Sequence, residues 1–390
     1  MAVYKTIDEL VIRVDERNTD ESVSDLIGVS IDKCFIKSVA NVNGTDLSKY
    51  KIIRKDDFAV SLMQVSRDEK IPIARMTEYE TAIMSPAYPI FRVKDTNVVL
   101  PAYLDMWFKR PEFDREAAFI AVGGVRGSMP WEEFAKMKLP VPELEKQKKI
   151  VAAYETIANR IDLKKKINDN LLAIGISSVQ KNIGRGALIN MTEVEISNLS
   201  LQENFKVQTI ANFCADTKSG STPSRTNNDY WENGTISWVK SGEVHNNITL
   251  QTEEYITPLG LKESSAKLLP KDTVLMAMYG VTAGEVGYLA TEATTNQAIC
   301  GMICGSKADA AYLYFSLIQS QAEISRLSNG GAQENLSKNF IDNIKLVVPP
   351  PELIKKLNLS AVVEQMTYNT KEIALLEELQ STLLAQLSSC

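Results

Sequence analysis

Leu139-Pro140-Val141-Pro142-Glu143-Leu144 and Val348-Pro349-Pro350-Pro351-Glu352-Leu353 are two versions of one phrase: an apolar stretch turns through prolines into a glutamate and a leucine. They stand roughly 210 residues apart. Upstream of each lies a glycine pair, Gly123-Gly124 and Gly330-Gly331, followed by Phe134 in one copy and Phe340 in the other. Further upstream, Lys55-Asp56-Asp57-Phe58 matches Lys271-Asp272-Thr273-Val274, each a polar turn opening an apolar strand. Ser85-Pro86-Ala87-Tyr88 stands in turn against Asn296-Gln297-Ala298-Ile299. One such pairing is chance; several in the same order are a duplication. The period is too long for a solenoid repeat, so each copy is a domain with its own appended element.

That appended element is a long helix. After Pro142 the chain reaches Ile183 without another proline, with apolar residues at Ile150, Tyr154, Ile157 and Ile161, then at Ile167, Leu171 and Ile174. In the second copy Val362, Met366, Ile373, Leu376, Leu383 and Leu387 keep a four-three register interrupted at Asn369 and Gln380, the pattern of a coiled-coil seam. Runs of ~35 to 40 residues give helices of about 50 to 60 Å, too long to be covered by one lobe. The two are therefore expected to pack on each other. Ahead of each helix, β-branched alternation at Lys51 to Arg54, Phe58 to Val65, Thr235 to Lys240, Val274 to Tyr279 and Val286 to Ala290 predicts strands. Short helices are predicted at Ala102 to Lys109 and Asp309 to Leu327. The fold class is α+β: two similar mixed α/β lobes, each followed by a long helix, the helices forming an antiparallel coiled coil with pseudo-twofold symmetry.

With 390 residues, 44% hydrophobic and 24% charged, the chain reads as a folded protein of several domains. No apolar run approaches a membrane span and no signal segment opens the chain, so a cytoplasmic protein without a membrane partner is expected. Five scattered cysteines, Cys34, Cys214, Cys300, Cys304 and Cys390, suit free thiols in a reducing compartment. The net charge of −6 argues against general nucleic-acid affinity, which comes from clustered Lys and Arg.

Catalysis is not advertised. A single histidine, His245, rules out duplicated His chemistry and a His-rich metal site, and no metal site is expected. Cys300 and Cys304 have no further ligand nearby and read as packing thiols. Gly280, Gly284 and Gly287 lack the Lys-Ser or Lys-Thr of a phosphate loop and read as a hairpin turn. The richest polar segment is Lys218-Ser219-Gly220-Ser221-Thr222-Pro223-Ser224-Arg225, then Asn227, Asn228, Tyr230 and Trp231. Small residues let a backbone approach a phosphate, and an arginine can grip guanine with two donors. An ordinary exposed turn explains the same residues equally well. Lys240, Ser241, Tyr279 and Thr282 can line the same face, with Trp238 in the core.

The second copy resembles a target-recognition domain of Type I restriction-modification specificity subunits. The resemblance runs through Gly220-Ser221-Thr222-Pro223-Ser224-Arg225, Tyr230-Trp231, Ile236 to Val244, Leu269 to Ala277 and Asn296-Gln297-Ala298, and the closing proline turn with its helix resembles the family's spacer helix. The first copy matches more loosely and has no Gly-Ser-Thr-Pro segment. The resemblance implies a first target-recognition domain at 1–142, a spacer helix at 143–183, a connector at 184–204, a second recognition domain at 205–350 and a second spacer helix at 351–390. It implies a non-catalytic chain that reads a bipartite site in double-stranded DNA, its paired helices setting the gap between half-sites. Two methylation (M) subunits and restriction (R) subunits are the implied partners. No cofactor is bound by this chain; S-adenosylmethionine, ATP and Mg belong to those partners. The DNA-facing residues are then Lys218, Ser219, Ser221, Thr222, Ser224, Arg225, Lys240, Ser241, Tyr279 and Thr282, with Arg67, Arg126 and Ser128 in the first copy. A specificity module of a methylation-only or other defence system, and a pure protein-interaction scaffold, stand as alternatives.

Overall fold

In the computed structural model the residues described are all except 1–2, 39–44, 64, 124–126, 190, 200, 330–334 and 390. The chain divides into two units, Met1–Ile161 with Leu375–Cys390, and Asp162–Ala374.

The first unit is gathered at a two-stranded neck. Strand Val3–Thr6 pairs antiparallel with Lys138–Val141, the strand that carries the first proline phrase. Thr6 then caps the short helix Ile7–Leu10: its hydroxyl accepts from Glu9 N, and the Glu9 carboxylate accepts from Thr6 N at 2.7 Å. Beyond the neck lies an antiparallel sheet in the order Val11–Val14, Ile90–Val93, Phe58–Val60, Ile73–Arg75. Strand alternation puts Phe58, Val60 and Phe91 on one face, against the helices Pro101–Phe108, Pro111–Ile120 and Trp131–Lys136. Phe58 stacks on Phe91 at 5.2 Å, with Phe108 edge-on to both. Ala59 and Ile90 face the other way, into a smaller core with Ile53, Ala82 and Met84.

The second unit repeats this plan element by element. Lys206–Thr209 pairs with Lys345–Val348 in the register of the first neck, so that Thr209 meets Lys345 as Thr6 meets Lys138. Thr209 caps Ile210–Phe213. The sheet order Asp216–Ser219, Ile299–Ile303, Thr273–Ala277, Val286–Leu289 matches that of the first unit, with Ile248–Thr249 added in parallel at the far edge. In both turns before the central strand an aspartate is left-handed, Asp56 at φ 64° and Asp272 at φ 67°. Each accepts a hydrogen bond from the residue at the same place on the next strand, Arg75 Nη1 at 3.3 Å and Tyr288 Oη at 3.1 Å. In each unit one cation links that aspartate to a glutamate lying equally far past Pro142 and Pro351: Arg75 also lies 4.0 Å from Glu155, and Lys307 lies 4.0 Å from Asp272 and 3.7 Å from Glu364.

Local chemistry shortens or divides several predicted elements. The strand expected over Phe58 to Val65 stops at Val60, and Val65 opens the helical turn Val65–Asp68. The next partner on the neighbouring strand is Pro72, which has no N–H to extend the ladder. The helix expected over Asp309 to Leu327 is two, Lys307–Gln319 and Gln321–Asn329, matching the pair Pro101–Phe108 and Pro111–Ile120 of the first unit. Within the stretch read as a connector, Ala187–Leu188 adds a third strand to the second neck, with Ala187, Leu188 and Ile189 buried.

Leu144–Ile183 is one continuous helix of 40 residues. Its counterpart is divided by Asn358, left-handed at φ 52°, into Pro351–Leu357 and Leu359–Gln386. Both follow the proline phrase directly: Pro351 is the first residue of its helix, with φ already fixed for a first turn, and Pro142 stands two residues ahead of Leu144. In the first unit Val151, Leu384 and Leu387 are buried with the lobe's aromatic core, Ile150 and Tyr154 pack on its edge, and Ile161 is buried. Ile157, Leu376 and Leu383 are half-buried. In the second unit Val363, Met366 and Ile373 are buried and Val362 half-buried. There Lys164 pairs with Glu372 at 2.8 Å while Asn168 reaches back to Thr370 at 3.3 Å, so the helices run antiparallel. The break in the apolar seam at Asn369 is filled by hydrogen bonds: Asn369 is 1% exposed, donates to Asn168 Oδ1 at 2.8 Å, and accepts from Lys164 and Gln365, both at 3.1 Å. Gly175 lets helix Lys307–Gln319 approach, since a Cβ there would lie 2.2 Å from the Phe315 ring.

Candidate nucleic-acid interface

The polar segment of the second unit leaves strand Asp216–Ser219 and is pinned at once to the strand opposite. Gly220 N donates to Ile299 O at 3.2 Å and Ser221 N to Thr295 O at 2.9 Å. A Cβ on Gly220 would fall 2.1 Å from Thr295 Oγ1 and 2.2 Å from Asn296 O. The small residue therefore serves a close passage within the protein, and these two N–H groups are used internally. Thr222 Oγ1 donates to Gln297 Oε1 at 2.5 Å, tying the loop to the Asn296-Gln297-Ala298 turn. Ser219 is half-buried; Ser224 is exposed and shares a hydrogen bond with Thr226 at 2.9 Å.

Two indoles carry the rest of the loop. Trp238, 2% exposed, donates Nε1 to Ser221 O at 3.1 Å, and Trp231 donates to Ser224 O at 3.0 Å. Their rings meet edge to face at 4.9 Å. Arg225 lies over them, its guanidinium 3.6 Å from the Trp231 centroid and 4.8 Å from that of Trp238. Its Nη1 donates to Glu254, on strand Glu254–Ile256. Glu254 also lies 3.4 Å from Lys240 Nζ, which pairs with Glu253. The Arg225 hydrogen bond holds the Glu254 carboxyl below its usual pKa, and the Glu253 bond raises that of Lys240. Arg225, Lys240 and the loop thus form one surface, joined by the Trp231 indole and by two carboxylates, Glu253 and Glu254, that sequence reasoning did not select.

The other predicted residues are placed less closely. Lys218 pairs with Asp216 at 3.3 Å, and Ser241 opens a short 3-10 turn in which Glu243 accepts from Lys240 N. Tyr279 is exposed at the end of the strand hairpin, beside Met278, whose N–H donates to Ala298 O at 2.7 Å. Thr282 is buried at 8%, so of that pair Tyr279 alone is presented outward. In the first unit Arg67 pairs with Asp68 at 2.8 Å on the turn Val65–Asp68. A Cβ on Gly127 would lie 3.4 Å from Arg67 N, which brings Ser128 beside that turn. Arg126 lies outside the described residues.

Among the described residues no group of three or more His, Cys, Asp or Glu side chains could hold a metal ion, and no helix is long and apolar enough to cross a membrane. Cys300 is fully buried, and burial pushes its thiol up to about 12.

The chain is 23% identical to the Type I restriction enzyme EcoR124I/EcoR124II specificity subunit of Escherichia coli, over 55% of this chain and 52% of that one. It is 26% identical to the Type I restriction enzyme HindI specificity subunit of Haemophilus influenzae, over 43% and 38%. The chain thus spans about half or less of these relatives' lengths. In fold it is similar to the S subunit of a Type-I restriction-modification system from M. genitalium, with a TM-score of 0.59 at 14% identity, covering 100% of this chain and 96% of that one. The family model described as the Type I restriction modification DNA specificity domain matches residues 74–173 and 202–378, one match in each copy. With both copies matched and the duplicated sheet, neck and helix in place, the chain belongs to the family of Type I restriction-modification DNA specificity domains.

Proposed function

We propose that this chain is the non-catalytic specificity subunit of a Type I restriction-modification complex and reads a bipartite site in double-stranded DNA. Each lobe reads one half. The segment 218–225 with Lys240, Ser241 and Tyr279 faces the DNA in the second lobe, and the region of Arg67 and Ser128 does so in the first. The antiparallel helices hold the half-sites apart and receive two methylation subunits, to which restriction subunits attach. S-adenosylmethionine, ATP and magnesium act in those partners, in the cytoplasm. The observation that carries this reading is the duplication: one sheet, one capped neck and one helix, each made twice, with a different loop presented by each copy. Two related but divergent readers are what an asymmetric two-part sequence requires.

Co-expression with a methylation subunit of a Type I system tests it. Adenine methylation mapped across the host genome is expected at one motif made of two short specific parts with an unread gap of constant length. Assembly of the complex without any modified motif would overturn the reading in favour of a protein-interaction scaffold.

A further inference from the structure

Arg225 and Lys240 are not presented as a basic patch. Arg225 and Lys240 stand among Glu253, Glu254 and Glu243: Glu254 accepts from Arg225 and lies 3.4 Å from Lys240, Glu253 pairs with Lys240, and Glu243 accepts from the backbone N–H groups of Lys240 and Glu253 at 2.7 and 2.9 Å. Two positive charges thus meet three negative ones. All five side chains are partly exposed, so a ligand can reach them and exchange partners without unfolding anything.

A phosphate and a base edge meet this cluster differently. A phosphate touching Arg225 or Lys240 comes within a few ångströms of Glu253 and Glu254, well inside the ~8 Å Debye length of physiological salt, and is repelled. The ion pairs also substitute for counterions on the protein side, so backbone contact gains little from neutralising charge. A base edge is neutral. The Arg225 fork is already fixed, its face on Trp231 and one nitrogen on Glu254, so its remaining donors can engage a pair of acceptors such as guanine offers.

We infer that Glu253 and Glu254 are specificity-determining residues of the second lobe: they suppress capture of Arg225 and Lys240 by the sugar-phosphate backbone and hold the Arg225 fork for a base edge. This rests on the DNA-reading function proposed above.

The test uses the full chain assembled with its methylation subunits and compares it with the same complex carrying Glu254→Gln, which keeps an acceptor for Arg225 and removes the charge. Glu232→Gln, an exposed acid on the same segment, controls for a general change of charge. The probe is a random-sequence duplex titrated at several salt concentrations. Glu254→Gln is expected to bind it about tenfold more tightly, with a salt slope steeper by about one, and to relax the genomic methylation motif within one half-site. Unchanged random-duplex affinity and slope, or equal tightening by Glu232→Gln, would overturn the inference while a wild-type complex that still methylates a bipartite motif leaves the proposed function standing. A wild-type complex that methylates nothing fails the function itself. Equal thermal midpoints for wild type and variant exclude a folding defect.

Discussion

Arg225 ties a loop, an indole and a carboxylate together, and under the proposed function the same side chain meets a base edge. Its face rests on Trp231, its edge meets Glu254, and the loop beneath it is tied by Trp238 Nε1 to Ser221 O. Replacing it by alanine removes the donors and leaves the loop's backbone bonds in place. Binding of the assembled complex to its own site is expected to weaken by about 1–3 kcal/mol, the range of one bidentate base contact. Arg225→Lys, which keeps the charge and loses the fork, should recover little of that loss. Fluorescence anisotropy with the cognate duplex gives both values, and size-exclusion chromatography should show unchanged assembly; cognate affinity equal to wild type would remove Arg225 from the reading surface. The sequence points to Arg225 because Gly-Ser-Thr-Pro-Ser-Arg is a contiguous pattern. It says nothing of Glu253 and Glu254, whose approach depends on how a loop and a distant strand edge are folded together. For the same reason Thr282 reads as a surface hydroxyl and is buried: its inward turn is set by the hairpin, whose Gly280 and Gly284 take positive φ of 73° and 88°.

At the scale of the element, the two long helices are the most legible part of the chain, since their signal repeats along the sequence. The break at Asn358 leaves no comparable mark, because it is a single left-handed residue within an otherwise helical pattern. Asn369 reads as an interruption of the seam and proves to be its polar fastening. Such a buried asparagine can fix the register of paired helices at some cost in stability. Asn369→Ala strips Asn168 and Lys164 of a shared partner and is expected to cost about 1–3 kcal/mol, the penalty of leaving buried polar groups unmatched. Replacing both Asn168 and Asn369 by leucine removes donor and acceptor together and should return most of that stability. Urea unfolding of the wild type and these two variants checks this, and a double variant less stable than Asn369→Ala would refute the fastening role.

For the molecule as a whole, the duplication is legible because its markers are local: proline turns, a left-handed Lys-Asp turn and a helix with a stripe. The necks are harder to see, since Val3–Thr6 and Lys206–Thr209 are four residues each and find partners more than a hundred residues away. Their geometry nevertheless carries the strongest consequence. In each unit the chain runs into the lobe on one strand of the neck and out on its antiparallel neighbour, so the ends of the lobe lie side by side whatever is folded between them. The main apolar cores are likewise separate clusters, one in each unit. Exchanging the segment 210–344 for its equivalent from a family member of different specificity should therefore leave the first lobe undisturbed, provided the donor keeps apolar residues where Ile210, Ile341 and Ile344 meet the core of Val179, Ala187, Val363 and Met366. Methylation directed by the chimera is expected to keep one half of the original motif and the original gap, and to acquire a new second half. Because the helices remain those of this chain, a changed gap would show that spacing is set within the lobes, and a change in both halves would show that the lobes do not read independently.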